Sequence, residues 1–342
     1  MRFGVFDHMD RGGLNLGQQY RDRLQLIEAY DRAGFYAYHL AEHHGTPLGL
    51  ASSPSVFLAA VSQRTHSLRF GPLVYTLSLY HPLRVLEEIC MLDQLSGGRL
   101  ELGVGKGVSP IELGFYGVGP EAQEVYEEAL QIILSGLAHD RLNHVGKHFT
   151  FKDVPLEVRP VQRPRPPLWY GVGKADTTPW AAQLGMNIVV NGPVKSVQQI
   201  TARFKAEWRR GPHADKPLPK IGTSRHIVVG HTDREAREAA SAAYRQWFNS
   251  LLHLWRLHGV QIPLSFPEDP DEAMAAGICV AGTAATVRDR LFREIDDAGV
   301  NYLLCRLAFG NLTLEQSLQS VALLQHEVMP AFALREVRDS AA

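Results

Sequence analysis

One regularity constrains this chain more than any other. Short apolar runs bounded by glycine or proline recur along it, and stretches with apolar residues at helical spacing separate them. The runs are RFGVFD (2–7), FYAYHLAE (35–42), LRFGPLVYT (68–76), RLELGVG (99–105), PPLWYGVG (166–173), MNIVVNG (186–192), IGTSRHIVVG (221–230) and NYLLCRL (301–307). Between them lie helical patterns with readable ends. Tyr20, Leu24 and Ile27 share a face that stops at Gly34. Pro82 opens a helix that Gly97-Gly98 closes. Thr232-x-x-Glu235 and Thr313-x-x-Gln316 read as capping boxes. Strands separated by helices must run parallel, because each crossover returns over a sheet face. Eight such units favour an α/β fold closed as a (β/α)8 TIM barrel over an open doubly wound sheet.

The length of 342 residues suits one such domain spanning 1–342. Two stretches break the repeat. HFTFKDVPLEVRPVQ (148–162) alternates like a hairpin inserted before the fifth strand. Residues 258–282, with Pro263, Pro267 and Pro270, read as a long loop before the eighth strand and are a candidate lid.

A net charge of -1 gives no electrostatic case for nucleic acid or an anionic membrane, and the short Trp208-Arg209-Arg210 cluster suits a solvated helix end. Cys90, Cys279 and Cys305 are scattered and form no C-x-x-C, so neither a disulfide framework nor a thiolate zinc site is suggested, and a reducing, cytoplasmic setting fits best. Asp7 interrupts the N-terminus too early for a secretory core, and no apolar run reaches membrane-spanning length.

Three segments carry candidate chemistry. His39-Leu40-Ala41-Glu42-His43 matches H-x-x-E-H, a zinc-hydrolase string that works only on a helix, where one turn brings both histidines together. Here it occupies a strand slot. His39, Ala41 and His43 then share one side and Leu40, Glu42 and His44 the other. The expectation is therefore no metal, with Glu42 and His43 at the mouth of the second barrel strand and His39 packed deeper. The bland alternative is that Glu42 and His43 merely close a strand.

LELGVGKG ends the fourth strand with glycines around Lys106, and GVGKADTTPW follows the fifth with Gly173, Lys174, Thr177 and Thr178. Neither is a G-x-G-x-x-G or P-loop string. Each alone is an ordinary tight turn, but two glycine–lysine turns on consecutive strands favour a phosphate-bearing ligand. His81, before Pro82, reads as a helix N-terminal turn.

Taken together, GFYAYHLAEHH, HPLRVLEEICMLDQLSGGRLELGVGKG, TTPWAAQLG and CVAGTAATVRDRL…AGVNYLLCRLAFGN…EVMP resemble landmarks of the bacterial luciferase-like flavin-dependent monooxygenases, in family order and over nearly the whole chain. The resemblance implies a TIM barrel with insertions. It implies a monooxygenase that uses reduced FMN and O2 to oxygenate a small organic substrate through a peroxyflavin. His43 is then the catalytic acid–base group and Glu42 a flavin-side carboxylate. Leu73-Val74 matches the family's cis non-prolyl peptide beneath the isoalloxazine. The phosphate contacts fall on Lys106, Gly173, Lys174 and Thr177. Departures are Gly105 in place of a reactive cysteine, Lys106 in place of an arginine and Gly173 in place of a glutamate.

With no nicotinamide fingerprint in the chain, a separate flavin reductase is expected to supply the reduced flavin. Phe6, His8, Phe115, Tyr116 and the segment around Trp247 are candidate substrate-pocket residues. Segments 53–63 and 82–95 carry more apolar residues than one core-facing stripe needs, and the resemblance places a homodimer interface there. The alternatives are an F420-dependent hydride-transfer oxidoreductase and a non-catalytic flavin-binding protein.

Overall fold

The computed structural model describes residues 1–261 and 266–341, with side chains described through residue 335. Pro263, one of the prolines of the expected lid, lies outside the described residues.

Twelve strands form in chain order: β1 Arg2–Asp7, β2 Ala37–Leu40, β3 Arg69–Pro72, β4 Tyr75–Thr76, β5 Leu102–Gly105, β6 Arg141–Val145, β7 Thr150–Pro155, β8 Leu168–Gly171, β9 Asn187–Val189, β10 Ile221–Val229, β11 Cys279–Gly282 and β12 Tyr302–Arg306. All except β6 and β7 join one parallel sheet, in the order β3-β2-β1-β12-β10-β9-β8-β5-β4, with β11 added to β10. A bridge from Phe70 to Leu100 ties β3 back towards β5, so the sheet curls into a nearly closed barrel. This is the barrel that the alternation predicts, its third strand broken into β3 and β4.

The break has a local cause. The Leu73-Val74 peptide, between β3 and β4, is cis, at the position the resemblance marked. Gly105 on the facing strand has no side chain, and a Cβ there would lie 2.6 Å from Cγ2 of Val74. The glycine of β5 therefore makes room for the side chain that the turned peptide presents.

Period-two alternation sorts residues into the barrel or under the helices. Phe6, Ala41, Leu73, Trp169, Val189, Tyr302 and Leu304 pack together inside. The outward faces meet the helices in a larger core around Val5, Leu40, Phe70, Val104, Ile188 and Cys305.

The structure corrects two details. The hairpin is β6 and β7, so it starts at Arg141 and not at 148. Its first arm, RLNHV, buries little besides Leu142 and has no strong alternation to reveal it, and 156–162 forms no strand. The stretch 258–282 is not loop throughout. Pro270–Ala275 is a helix with Asp269 as its cap, and β11 pairs along β10 from His226↔Cys279 to Val229↔Gly282. Four residues between Gly277 and Gly282 are too few to show a period. Among the described residues, no helix is long and apolar enough to cross a membrane.

Candidate active site

The candidate site residues gather at the C-terminal ends of the barrel strands. Inward positions continue past the apolar layer: Phe6 leads to His8, Ala41 to His43, Ser224 to His226 and Leu304 to Arg306. Strands β1, β2, β10 and β12 thus each raise one basic side chain towards the mouth.

The H-x-x-E-H string does not form a helix. Its start is β2, and the chain turns out at Gly45 with φ of 64°. His39 lies fully inside the barrel, with Nε2 2.9 Å from the Tyr302 hydroxyl and its ring edge-on to Trp169 at 4.7 Å. Burial drives its pKa down to about 3, so it is a neutral packing residue.

Glu42 turns away from the barrel interior. Its Oε2 accepts the backbone N–H of Thr76 at 2.7 Å, and its Oε1 accepts the Tyr80 hydroxyl at 2.6 Å and His44 Nε2–H at 3.0 Å. Burial and this carboxylate push the Tyr80 hydroxyl far above its ordinary pKa, so it remains a donor. Since His44 gives its Nε2 proton to Glu42, its Nδ1 accepts from the Tyr116 hydroxyl at 2.8 Å.

His43 has a different carboxylate. Its Nδ1–H donates to Glu112 Oε1 at 3.2 Å, while Glu112 Oε2 accepts the backbone N–H of His44 at 2.8 Å. Burial raises the Glu112 pKa, but the His43 hydrogen bond and charge and the His44 N–H outweigh it and hold the carboxyl below its ordinary range. A ring that gives up Nδ1–H to a carboxylate keeps a lone pair on Nε2. The result is an oriented base, partly exposed, on the wall of a cleft. That cleft encloses about 510 Å³ including its open entrance, and is lined by His43, Leu48, Val108, Glu112, Leu251 and Trp255 among others.

Sequence reasoning missed Glu112. It sits on a short helix, Pro110–Phe115, whose cap Ser109 accepts the Glu112 N–H at 3.2 Å. The signal was Ser109-x-x-Glu112, a capping-box string directly after the glycine turn. Here the glutamate reaches across to the histidines.

The glycine–lysine turns are neighbours, because β5 pairs with β8 through Leu102↔Leu168 and Gly103↔Trp169. Lys106 and Lys174 are both exposed, and among the described residues neither has a carboxylate partner. A Cβ on Gly171 or Gly173 would meet nothing within 4 Å, so open space adjoins the second turn. The Thr177 hydroxyl donates to the Lys174 carbonyl at 3.0 Å and holds the loop shut on itself. Among the other expected pocket residues, His8 accepts Trp247 Nε1–H at 3.2 Å on its Nδ1, and its ring lies 5.6 Å from that of His43. Burial and the nearby Arg306 charge keep His8 neutral. Phe115 and Tyr116 stand half exposed at the rim.

These features agree with comparisons against known proteins. Residues 1–302 match the sequence profile described as luciferase-like monooxygenase. The chain is 46% identical to the uncharacterized protein y4wF of Sinorhizobium fredii, over 96% of each chain. It is 26% identical to the oxygenase component of the flavin-dependent trigonelline monooxygenase of Acinetobacter baylyi, over 98% of this chain and 97% of that one. Among solved structures, the monooxygenase RslO1 of Streptomyces bottropensis superposes with a TM-score of 0.88 at 22% identity, covering 97% and 100% of the two chains. The coenzyme F420-dependent tetrahydromethanopterin reductase of Methanopyrus kandleri superposes with a TM-score of 0.71 at 19% identity, covering 97% and 99%. At these identities the two structures speak for the fold alone.

Proposed function

This chain belongs to the luciferase-like monooxygenase family, and from that premise we propose that it is a flavin-dependent monooxygenase using reduced FMN and O2 on a small organic substrate. The observation that carries this reading is the His43–Glu112 pair on the wall of the mouth cleft.

The residues present fit a flavin mononucleotide. Lys106 and Lys174 supply two uncompensated charges for a phosphate, beside a turn whose glycines leave space. Leu73 and Val74, at the cis peptide, offer an apolar platform between β3 and β4, and the buried Glu42 carboxylate anchors the Thr76 backbone beside it. Bound reduced flavin supplies the electrons that activate O2. His43, oriented by Glu112, takes or returns a proton at Nε2 during substrate oxygenation. Apolar Leu48, Val108, Leu251 and Trp255 limit water at the cleft.

Because the trigonelline relative is named as an oxygenase component, a separate reductase delivering FMNH2 is part of this proposal. So is a homodimer. Val56 is 73% exposed on helix Pro54–Arg64, and Met91 and Leu95 are 51% and 50% exposed on helix Pro82–Leu95.

The test is oxygen consumption by the purified protein with NADH, FMN and a flavin reductase, alongside equilibrium binding of FMN and of F420. FMN binding with substrate-dependent uptake of O2 is expected. Tight F420 binding without FMN binding selects the hydride-transfer alternative, and FMN binding with no turnover across a broad substrate panel selects a flavin-binding protein.

A further inference from the structure

Buried arginines normally face a carboxylate, because an unpaired charge taken out of water costs several kcal/mol. Arg225 on β10 follows that rule: its side chain is buried and its Nε–H donates to Glu294 at 3.0 Å. Arg306, one strand away on β12, does not. It is 6% exposed, and among the described residues no carboxylate lies within ion-pair distance. Among the described residues its single side-chain hydrogen-bond contact is from Nη1 to His226 Nε2 at 3.5 Å, the outer limit of such bonds, and its buried Nε–H has no acceptor. Burial lowers its pKa to about 9, an effect that Tyr244 and Asp10 offset only in part. Asp10 is the carboxylate that acts on it electrostatically, but among the described residues it makes neither a hydrogen bond nor an ion pair with Arg306: its Oδ2 accepts the Gly310 N–H at 2.7 Å and its buried Oδ1 has no partner.

What surrounds the guanidinium is aromatic. It lies 4.8 Å from the centroid of Phe6 and 5.3 Å from that of Trp247, distances at which ring faces attract a cation. Trp247 is fixed by its bond to His8, and the His8 ring adjoins His43. Arg306 stands on the inward side of β12, at the end of a row of aromatic groups that begins at the proposed proton-transfer residue. One unanswered fork of N–H donors among aromatic rings suits a planar molecule bearing an anion.

Building on the flavin reading, we propose that Arg306, with Phe6, His8 and Trp247, is the specificity site for the organic substrate, and that this substrate carries a carboxylate on a planar body. The guanidinium fork meets the carboxylate, and the aromatic side chains pack the rest of the molecule, with its reacting end towards His43. A neutral substrate of the same shape leaves the guanidinium unanswered, which makes the site selective as well as attractive.

The probes are benzoate and its uncharged counterpart benzamide, titrated into FMN-loaded protein and followed by tryptophan fluorescence and by the flavin absorbance. Benzoate is expected to bind at least tenfold tighter than benzamide. Arg306→Met should abolish that preference with FMN affinity unchanged, and Arg306→Lys should retain part of it.

Equal binding of the two probes by the parent overturns the proposal, whatever the variants do. So does an Arg306→Met variant that loses FMN affinity as steeply as benzoate affinity, since the arginine would then serve the flavin. If the parent binds no FMN, the flavin reading fails. The same titration on flavin-free protein then decides the carboxylate preference by itself.

Discussion

At the N-terminal end of the barrel interior, Glu101 is fully buried and accepts from the Tyr36 hydroxyl at 2.8 Å, from Arg69 Nε–H and from Trp169 Nε1–H. At the C-terminal end, Arg306 is nearly as buried and, among the described residues, has one long hydrogen-bond contact, while His43 keeps a ring nitrogen without a partner there beside a cleft. Both ends bury charge. The floor satisfies its charge internally, and the mouth leaves donors and acceptors over. A closed network serves stability, whereas groups held open at burial's cost are where a ligand is expected. The barrel architecture assigns the same roles, with active sites at the C-terminal face.

Four substitutions or conditions probe that division, in order of expected effect. His43→Ala should lower turnover with reduced flavin and O2 by roughly 10²–10⁴-fold, the usual contribution of a positioned acid–base group, with FMN binding nearly unchanged. Steady-state oxygen uptake and an FMN titration on the same preparation check both halves. Equal loss in both would make His43 a binding residue.

Lowering the pH acts on the inside of the barrel. His39 has its folded pKa held down to about 3, below the 6.5 of an unfolded histidine, so the unfolded state binds the extra proton first. Its contribution is fully present above pH 6.5 and is lost as pH falls towards 3, by roughly 4–5 kcal/mol in total. Denaturant titrations of the parent and His39→Gln at stepped pH should show the parent's advantage shrinking through that window. A constant difference would mean that the ring is not buried neutral.

Glu101→Leu should destabilise the fold by about 3–5 kcal/mol, because it strands the Arg69 charge, yet leave FMN affinity of the folded protein intact. A shift in denaturation midpoint without a change in FMN affinity separates floor from mouth. Lys106→Ala has the smallest effect, a loss of roughly 1.5–3 kcal/mol in FMN binding with no change in stability. An unchanged FMN titration would remove Lys106 from the phosphate site.

Much of the mouth was legible in the sequence because period-two alternation fixes which residues face inward. Knowing that Ala41 and His43 share a side, and that Gly45 ends the strand, places His43 at the rim and His39 below it. Two lysines after consecutive strands are adjacent in space because consecutive parallel strands pair. The pairings across long separations were not legible. Glu112 reaches His43 from a helix on another loop, and Glu42 is gripped by Thr76 and Tyr80 of the next unit. Arg306 shows the same limit. NYLLCRL reads as an ordinary strand, and only the folded chain reveals that, among the described residues, its arginine forms no ion pair with a carboxylate. The hairpin arm Arg141–Val145 and the strand Cys279–Gly282 escaped because each is short and the buried alternation in it is weak.

Amide hydrogen exchange with and without saturating FMN tests the division between mouth and floor most directly. The account predicts added protection in the mouth segments 42–46, 74–78, 105–109 and 171–177, and none around 36, 69, 99–101 and 220 at the floor. Protection centred on the floor, or no change in the mouth segments at saturation, would contradict it.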